Sequence, residues 1–269
     1  LIALLLFIAG LLATACSSSP PPSSSGPVAF PDGELVDLSH AYDEQTIFWP
    51  TSDRFRLEKV ADGVTAGGYY YAANNFFTAE HGGTHLDAPV HFAAGHQAVD
   101  QIPLDRLFGR AVVVDVVENC EGNPDYQVTV GDLLRWEREH GQIPPDGLVL
   151  VRTGLSSRWP DAARYLGTAE RGQEAVRKLH FPGLHPDAAR WLVGNRPIKA
   201  IGIDTASSDY GQSTMFESHR VLYERNIPAF ENLTALDRLP PIGAFVVALP
   251  MKISNGSGAP LRAVAVVPR

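Results

Sequence analysis

Glu80-His81-Gly82-Gly83-Thr84-His85-Leu86-Asp87-Ala88-Pro89-Val90-His91-Phe92 packs three histidines and an aspartate into the eleven residues from 81 to 91. The spacing is His-x3-His-x-Asp-x3-His. Imidazole nitrogen and carboxylate oxygen are the donors that Zn²⁺ and similar divalent ions take. Gly82 and Gly83 disfavour a regular helix, so the spacing predicts a loop. In an extended chain His85 and Asp87 point the same way, because side chains alternate. Pro89 then bends the chain ahead of His91. A polar loop whose histidines only satisfy buried hydrogen bonds is the alternative. One histidine would fit that alternative; three with an aspartate at this density favour a metal site.

Outward from this stretch, the 269 residues are 45% hydrophobic and 19% charged, the composition of a globular protein with a sizeable core. The formal net charge is -8 and no basic run occurs, which argues against nucleic acid as a partner. Leu1 to Ala15 is almost wholly apolar, too short for a comfortable transmembrane helix and suited to the core of a secretory signal. Ala13-Thr14-Ala15-Cys16 resembles a bacterial lipoprotein cleavage site, with Cys16 as the lipid-bearing residue; ordinary signal cleavage near Ala15 is the alternative. The chain opens on Leu1 with neither Met nor a basic stretch, which reads as a truncated start of the leader. Residues 1–16 are thus a signal segment, and 17–29, rich in Ser and Pro, a solvated tether. The folded domain is 30–269. With Cys16 lipidated, Cys120 is left alone and no disulfide forms.

Within that domain Leu35–Ser39 reads as a short strand, and Trp49 before Pro50 as extended. Trp49 is either a partly buried core aromatic or a pocket wall. Gly67–Thr78, with Tyr69-Tyr70-Tyr71 and Phe76-Phe77, reads as a strand running into the histidine stretch, and Phe76 and Phe77 are expected in the core. His96 receives no ligand role. Arg110–Val117 and Leu148–Arg152 are buried strands. Between them Thr129 caps a helix that Gly141 ends. Ser156–His185 reads as an insertion with helical character from Pro160 to Lys178. A helix over Pro186–Asn195 and a strand over Ala200–Asp204 follow. Asp204 is expected to fix a turn, the competing reading being a third carboxylate near a metal. Glu217–Asn226 is a helix, Ile227–Leu233 a strand ending in a loop, Gly243–Leu249 a strand, Lys252–Arg262 a Gly-rich turn, and Ala263–Val267 the last strand.

His81-Gly82-Gly83-Thr84-His85-Leu86-Asp87-Ala88-Pro89-Val90-His91 resembles the signature of the metal-dependent cyclase-like hydrolases, the family of bacterial kynurenine formamidase and isatin hydrolase. The likeness runs from about Leu35 to Val267. It extends to His219 and to Glu231-Asn232-Leu233, which alone would read as an exposed helix residue and a surface carboxylate. The resemblance implies an α/β fold: a mixed β-sheet core packed with helices, a swivelling β/β/α-like sandwich in one domain, dimeric or higher.

It also implies a binuclear site. His81, His85, Asp87 and Glu231 would hold one metal, and Asp87, His219 and Glu231 the second. Two Zn²⁺ are the expected ions, with Mn²⁺ the alternative. His91 would be the catalytic acid/base and Trp49 a flat wall for an aromatic substrate. The expected activity is hydrolysis of an aryl amide, N-formyl-L-kynurenine first (an arylformamidase step in tryptophan catabolism). Ring opening of isatin is the alternative, favoured by the Ser156–His185 insertion. A lipid-tethered protein that binds metal or ligand without turnover is the non-enzymatic alternative, and a spare base at His91 speaks against it. The leader implies an exported protein anchored in the bacterial cell envelope, or secreted to the periplasm.

Overall fold

The computed structural model describes residues 32–269. The signal segment 1–16, the tether 17–29 and Cys16 lie outside the described residues. Pro31–Arg269 forms one compact unit. Among the described residues no helix is long and apolar enough to cross a membrane.

Twelve strands and six α-helices are present among these residues. The strands are β1 (Glu34–Asp37), β2 (Arg56–Val64), β3 (Tyr70–Phe77), β4 (His85–Asp87), β5 (Phe108–Asp115), β6 (Gln127–Val128), β7 (Leu148–Arg152), β8 (Gly183–Leu184), β9 (Ala200–Ile203), β10 (Ala229–Glu231), β11 (Ile242–Pro250) and β12 (Gly258–Val267). The helices are α1 (Val117–Cys120), α2 (Val130–His140), α3 (Ala162–Leu166), α4 (Gln173–Val176), α5 (Pro186–Asn195) and α6 (Glu217–Tyr223).

The main sheet runs β1-β12-β11-β5-β7-β9-β10-β4, and β4 returns to pair with β12, so the sheet closes into a barrel. The pairs β5–β7, β7–β9 and β9–β10 are parallel and the rest antiparallel, which makes the sheet mixed as expected. The apolar runs alternate between two cores, as side chains on a pleated strand must. Ala111, Val113, Leu148, Leu150 and Phe230 join the core inside the barrel. Val112, Val114, Val149, Val151, Ile201 and Ile203 face outward and meet Leu133 and Trp136 of α2, Leu192 of α5 and Leu222 of α6. Thr129 caps α2 through a reciprocal pair with Asp132, and Gly141, at φ 88°, ends it.

Four local expectations are corrected. The histidine stretch is not all loop: His85–Asp87 is strand β4, inside the barrel wall. The helical character from Pro160 to Lys178 resolves into two short helices, α3 and α4, with Gly167 at φ 85° and Gly172 at φ 91° between them. Leucine and aromatic side chains here form a third small core (Leu155, Tyr165, Leu166, Leu179 and Phe181 with Ile47). The Gly-rich turn is shorter than read, because β12 already begins at Gly258.

The largest correction concerns Phe76 and Phe77. They are 53% and 44% exposed, not core. β2 and β3 pair only with each other, in a two-stranded ribbon apart from the barrel. Aromatic density signalled the strand correctly, but among the described residues no element buries it.

Candidate active site

The site lies where β4 closes the barrel. Glu231 on β10 stands opposite His85 in register, and Asp87 stands opposite Ala229 on one side and Gly258 on the other. β4 has two antiparallel neighbours, so its side chains are held from both edges. Gly82 and Gly258 allow the close packing: a Cβ at Gly82 would meet the Phe48 ring at 1.9 Å, and one at Gly258 the His81 ring at 2.5 Å. Gly83, at φ 56°, turns the chain between His81 and His85.

Two groups of side chains could each hold a divalent ion: His81, His85 and Asp87, and Asp87, His219 and Glu231. Asp87 belongs to both. Its Oδ1 lies 2.7 Å from His81 Nδ1 and 3.1 Å from His85 Nε2. Its Oδ2 lies 3.5 Å from His219 Nε2. Glu231 Oε1 is 3.1 Å from His219 Nε2, and Oε2 is 3.7 Å from His85 Nε2. Glu231 thus stands with the second group and reaches the first through His85.

The outward hydrogen bonds leave the inner nitrogens free. His85 Nδ1 meets the Gly83 carbonyl at 2.9 Å, so that nitrogen carries the proton and Nε2 offers a lone pair. His81 Nε2 meets Ser257 Oγ at 2.9 Å, and the Ser257 hydroxyl donates to Glu80, so His81 Nε2 donates and Nδ1 is free. His219 Nδ1 meets Asp209 Oδ2 at 2.5 Å, leaving Nε2. Three imidazole lone pairs and two carboxylates therefore converge in a buried space. Such a set repels itself unless a cation sits among it. Without a metal, the pull of the carboxylates on protons answers the same repulsion. Burial opposes charge on His85 and His219, yet Asp87 acting on the first and Asp209 and Asp87 on the second raise both above the ordinary histidine range. Burial also opposes ionisation of Asp87, but His81, His91 and His219 hold it well below the usual carboxylate range. The residues present fit a divalent metal.

His91 belongs to neither group. Its Nε2 is 3.9 Å from Asp87 Oδ2, too long for a hydrogen bond. Its ring stacks on His81 at 3.8 Å between centroids and meets the Phe92 ring edge-on. Burial pushes His91 down to about 4, so the imidazole is neutral and able to accept a proton near pH 7.

A cleft of about 220 Å³ opens over these groups. Phe48, Trp49, Phe92 and Phe216 are among its walls, together with His81, His85, Asp87, His91, His219 and Glu231. Trp49 packs against Phe181 and Phe216, each at 6.3 Å between centroids. The insertion thereby supports the aromatic wall through Phe181.

Asp204 stands apart from the cluster. Its carboxylate accepts from the Thr153 amide and hydroxyl and from the Gly154 amide, which fixes the turn after β7, as expected. His96 meets Asn226, outside the cleft.

Four supporting groups were missed from the sequence. Asp209 holds His219; Tyr223 donates to Asp87 Oδ2 at 2.9 Å; the Ser208 amide and hydroxyl donate to Glu231 Oε1; Ser257 carries His81. The polar loop after β9, Thr205–Asp209, was the one available signal for Ser208 and Asp209.

Comparison with known proteins shows the family. Residues 36–210 match the Cyclase family model, described as "Putative cyclase". The isatin hydrolase of Roseibium aggregatum is 31% identical over 230 residues, spanning 82% of this chain and 84% of that one. The kynurenine formamidase of Salinibacter ruber is 29% identical over 239 residues, 86% of this chain and 96% of that one. The solved structure of isatin hydrolase A from Labrenzia aggregata bound to benzyl benzoate superposes with a TM-score of 0.79 and 34% identity, covering 88% of this chain and 94% of that one.

Proposed function

From the premise that this chain belongs to the cyclase family of hydrolases, we propose that it hydrolyses the amide bond of an aryl amide with the help of divalent metal. The observation that carries this is a self-repelling set of three imidazoles and two carboxylates beneath an aromatic wall. His81, His85 and Asp87 would hold one ion, and Asp87, His219 and Glu231 a second, with Asp87 common to both groups. Zn²⁺ suits imidazole and carboxylate donors, and Mn²⁺ is the alternative ion. An ion held there makes water acidic near neutral pH and draws charge from the amide oxygen.

The side chains do the rest. Phe48, Trp49, Phe92 and Phe216 bind the aryl ring. His91 takes a proton from the attacking water as the carbon–oxygen bond forms. It returns that proton to the leaving nitrogen as the carbon–nitrogen bond breaks. Two substrates meet these demands: isatin, a cyclic aryl amide, and N-formyl-L-kynurenine. Relatives of both names match this chain. Packing of the insertion behind Trp49 steadies a wall that suits the aryl ring of either substrate.

The test is hydrolysis of isatin and N-formyl-L-kynurenine side by side, by the purified chain supplied with Zn²⁺ or Mn²⁺. Turnover of either is expected, and the preferred one names the subfamily. No turnover of these or of other aryl amides, esters and lactones, with metal bound, would leave a binding protein instead.

Assembly belongs to the same reading. The β2–β3 ribbon exposes Leu57, Val60, Val64, Tyr69, Tyr70, Tyr71, Phe76 and Phe77. An isolated two-stranded ribbon is marginal in water. Those side chains are between 44% and 74% exposed, and a stable complex buries ~800 Å² on each partner. The ribbon carries Arg56 and Lys59 beside Glu58 and Asp62, a balance that suits a second copy better than an anionic membrane. Val64 and Tyr70 are cross-strand partners. Light scattering should show a homodimer or higher oligomer for the unaltered chain and a monomer for Val64→Lys with Tyr70→Lys. A monomeric unaltered chain would refute the assembly. Export and lipid anchoring at Cys16 complete the proposal, supported by the apolar run before Ala13-Thr14-Ala15-Cys16.

A further inference from the structure

We propose that Asp209 is the positioning residue that makes His219 a metal ligand. Four hydrogen bonds converge on this one buried carboxylate. Oδ2 accepts from the His219 amide at 3.1 Å and meets His219 Nδ1 at 2.5 Å. Oδ1 accepts from the Ser218 amide at 3.1 Å and from the Ser213 hydroxyl at 3.3 Å. The residue is 2% exposed, so no water competes for these lone pairs.

The arrangement does two things to one histidine. The two amides belong to the first turn of α6, so Asp209 sets where that helix starts and where His219 stands. Phe216, at φ 48°, turns the chain into the helix in a conformation a bulky residue seldom adopts. Something outside the turn must hold it, and Asp209 does so through Ser213, whose Oγ accepts from the Phe216 amide. The contact at Nδ1 then fixes which nitrogen is turned away from the ion position. A carboxylate only accepts, so Nδ1 must carry a proton. Nε2 is left as the nitrogen a metal would take, and it faces Asp87 Oδ2 at 3.5 Å and Glu231 Oε1 at 3.1 Å.

The two candidate ion positions differ in this respect. His85 and His81 are steered by neutral acceptors, the Gly83 carbonyl and the Ser257 hydroxyl. Only His219 is steered by a charged group. A negative partner on the far nitrogen strengthens the ligand nitrogen as a donor. The second ion position is therefore the one whose affinity Asp209 sets. This rests on the metal reading above.

The experiment measures Zn²⁺ stoichiometry and affinity by chelator competition, together with the Nδ1–H of His219 by ¹H–¹⁵N NMR in the metal-free chain. The full chain is compared with Asp209→Asn, Asp209→Ala and Ser213→Ala. Both Asp209 variants should weaken the second ion by about 10- to 100-fold and leave the first unchanged. Both should also lose the far-downfield Nδ1–H signal that the contact with Asp209 gives. Ser213→Ala, which frees the Phe216 amide but leaves the Nδ1 contact, should keep that signal and weaken the second ion less than either Asp209 variant. Two ions at unchanged affinity and an unchanged Nδ1–H signal in both Asp209 variants would overturn the assignment. Were the unaltered chain to bind no zinc, the metal reading would fall, and the Nδ1–H signal measured without metal would still decide whether Asp209 positions His219.

Discussion

Asp87→Ala should strip the chain of bound metal and of activity together. Asp87 is the only residue common to both ligand groups among the described residues. Its Oδ1 serves His81 and His85, and its Oδ2 faces His219. Removing it leaves each group with two donors, too few for a divalent ion that keeps at least three protein ligands in catalytic sites. Elemental analysis should find metal near zero, and turnover should fall by on the order of 10³-fold or more. The substitution also orphans the buried Tyr223 hydroxyl, which now donates to Asp87. That costs about 1–3 kcal/mol, so a thermal melt must accompany the assay. Asp87→Asn keeps a partner for Tyr223 and should lose metal without that loss of stability. Unchanged metal content in both variants would refute the shared-carboxylate assignment.

His91→Ala should give the opposite split. His91 stands outside both ligand groups, with Nε2 3.9 Å from Asp87 and its ring against His81. Metal content should stay at the unaltered value. Turnover should fall by about 10²- to 10⁴-fold, the usual worth of a positioned proton carrier. KM should change little, because the aromatic wall is made by other side chains. The imidazole is neutral around pH 7, so the loss should be seen across the neutral range and not only in acid. Full activity in this variant would rule out His91 as the base; loss of metal would make it a ligand instead.

The sequence carried the site unevenly. His81, His85, Asp87 and His91 announce themselves because they lie within eleven residues, on a stretch whose glycines and proline set its path. His219 and Glu231 could be placed only through a family likeness. Glu231 reaches the cluster because β10 pairs with β4, and His219 because α6 starts against Asp209, and nothing local to residues 217–233 reveals either. Asp209 is harder still: its role depends on a helix that starts eight residues further along the chain. The buried strands β5, β7 and β9 were legible as continuous apolar runs, since both of their faces are covered. Closure of the sheet was not, because it depends on three residues meeting two partners. Phe76 and Phe77 misled for a related reason. Aromatic content reports that a strand forms, not that its own chain will cover it.

Closure by so short a strand gives the metal a second meaning. β4 spans only His85, Leu86 and Asp87, between β10 and β12. With β10 it is the shortest stave of the barrel, and it carries ligands at both ends. The wall cannot part along β10 without drawing β4, with Asp87, away from Glu231. An ion held by Asp87 and Glu231 would act as a buckle. Loading it raises the barrier to opening at that seam, and chelation lowers it. The persistence of the folded barrel is thereby tied to metal supply, and starvation for metal would shorten the protein's lifetime as well as silence its chemistry.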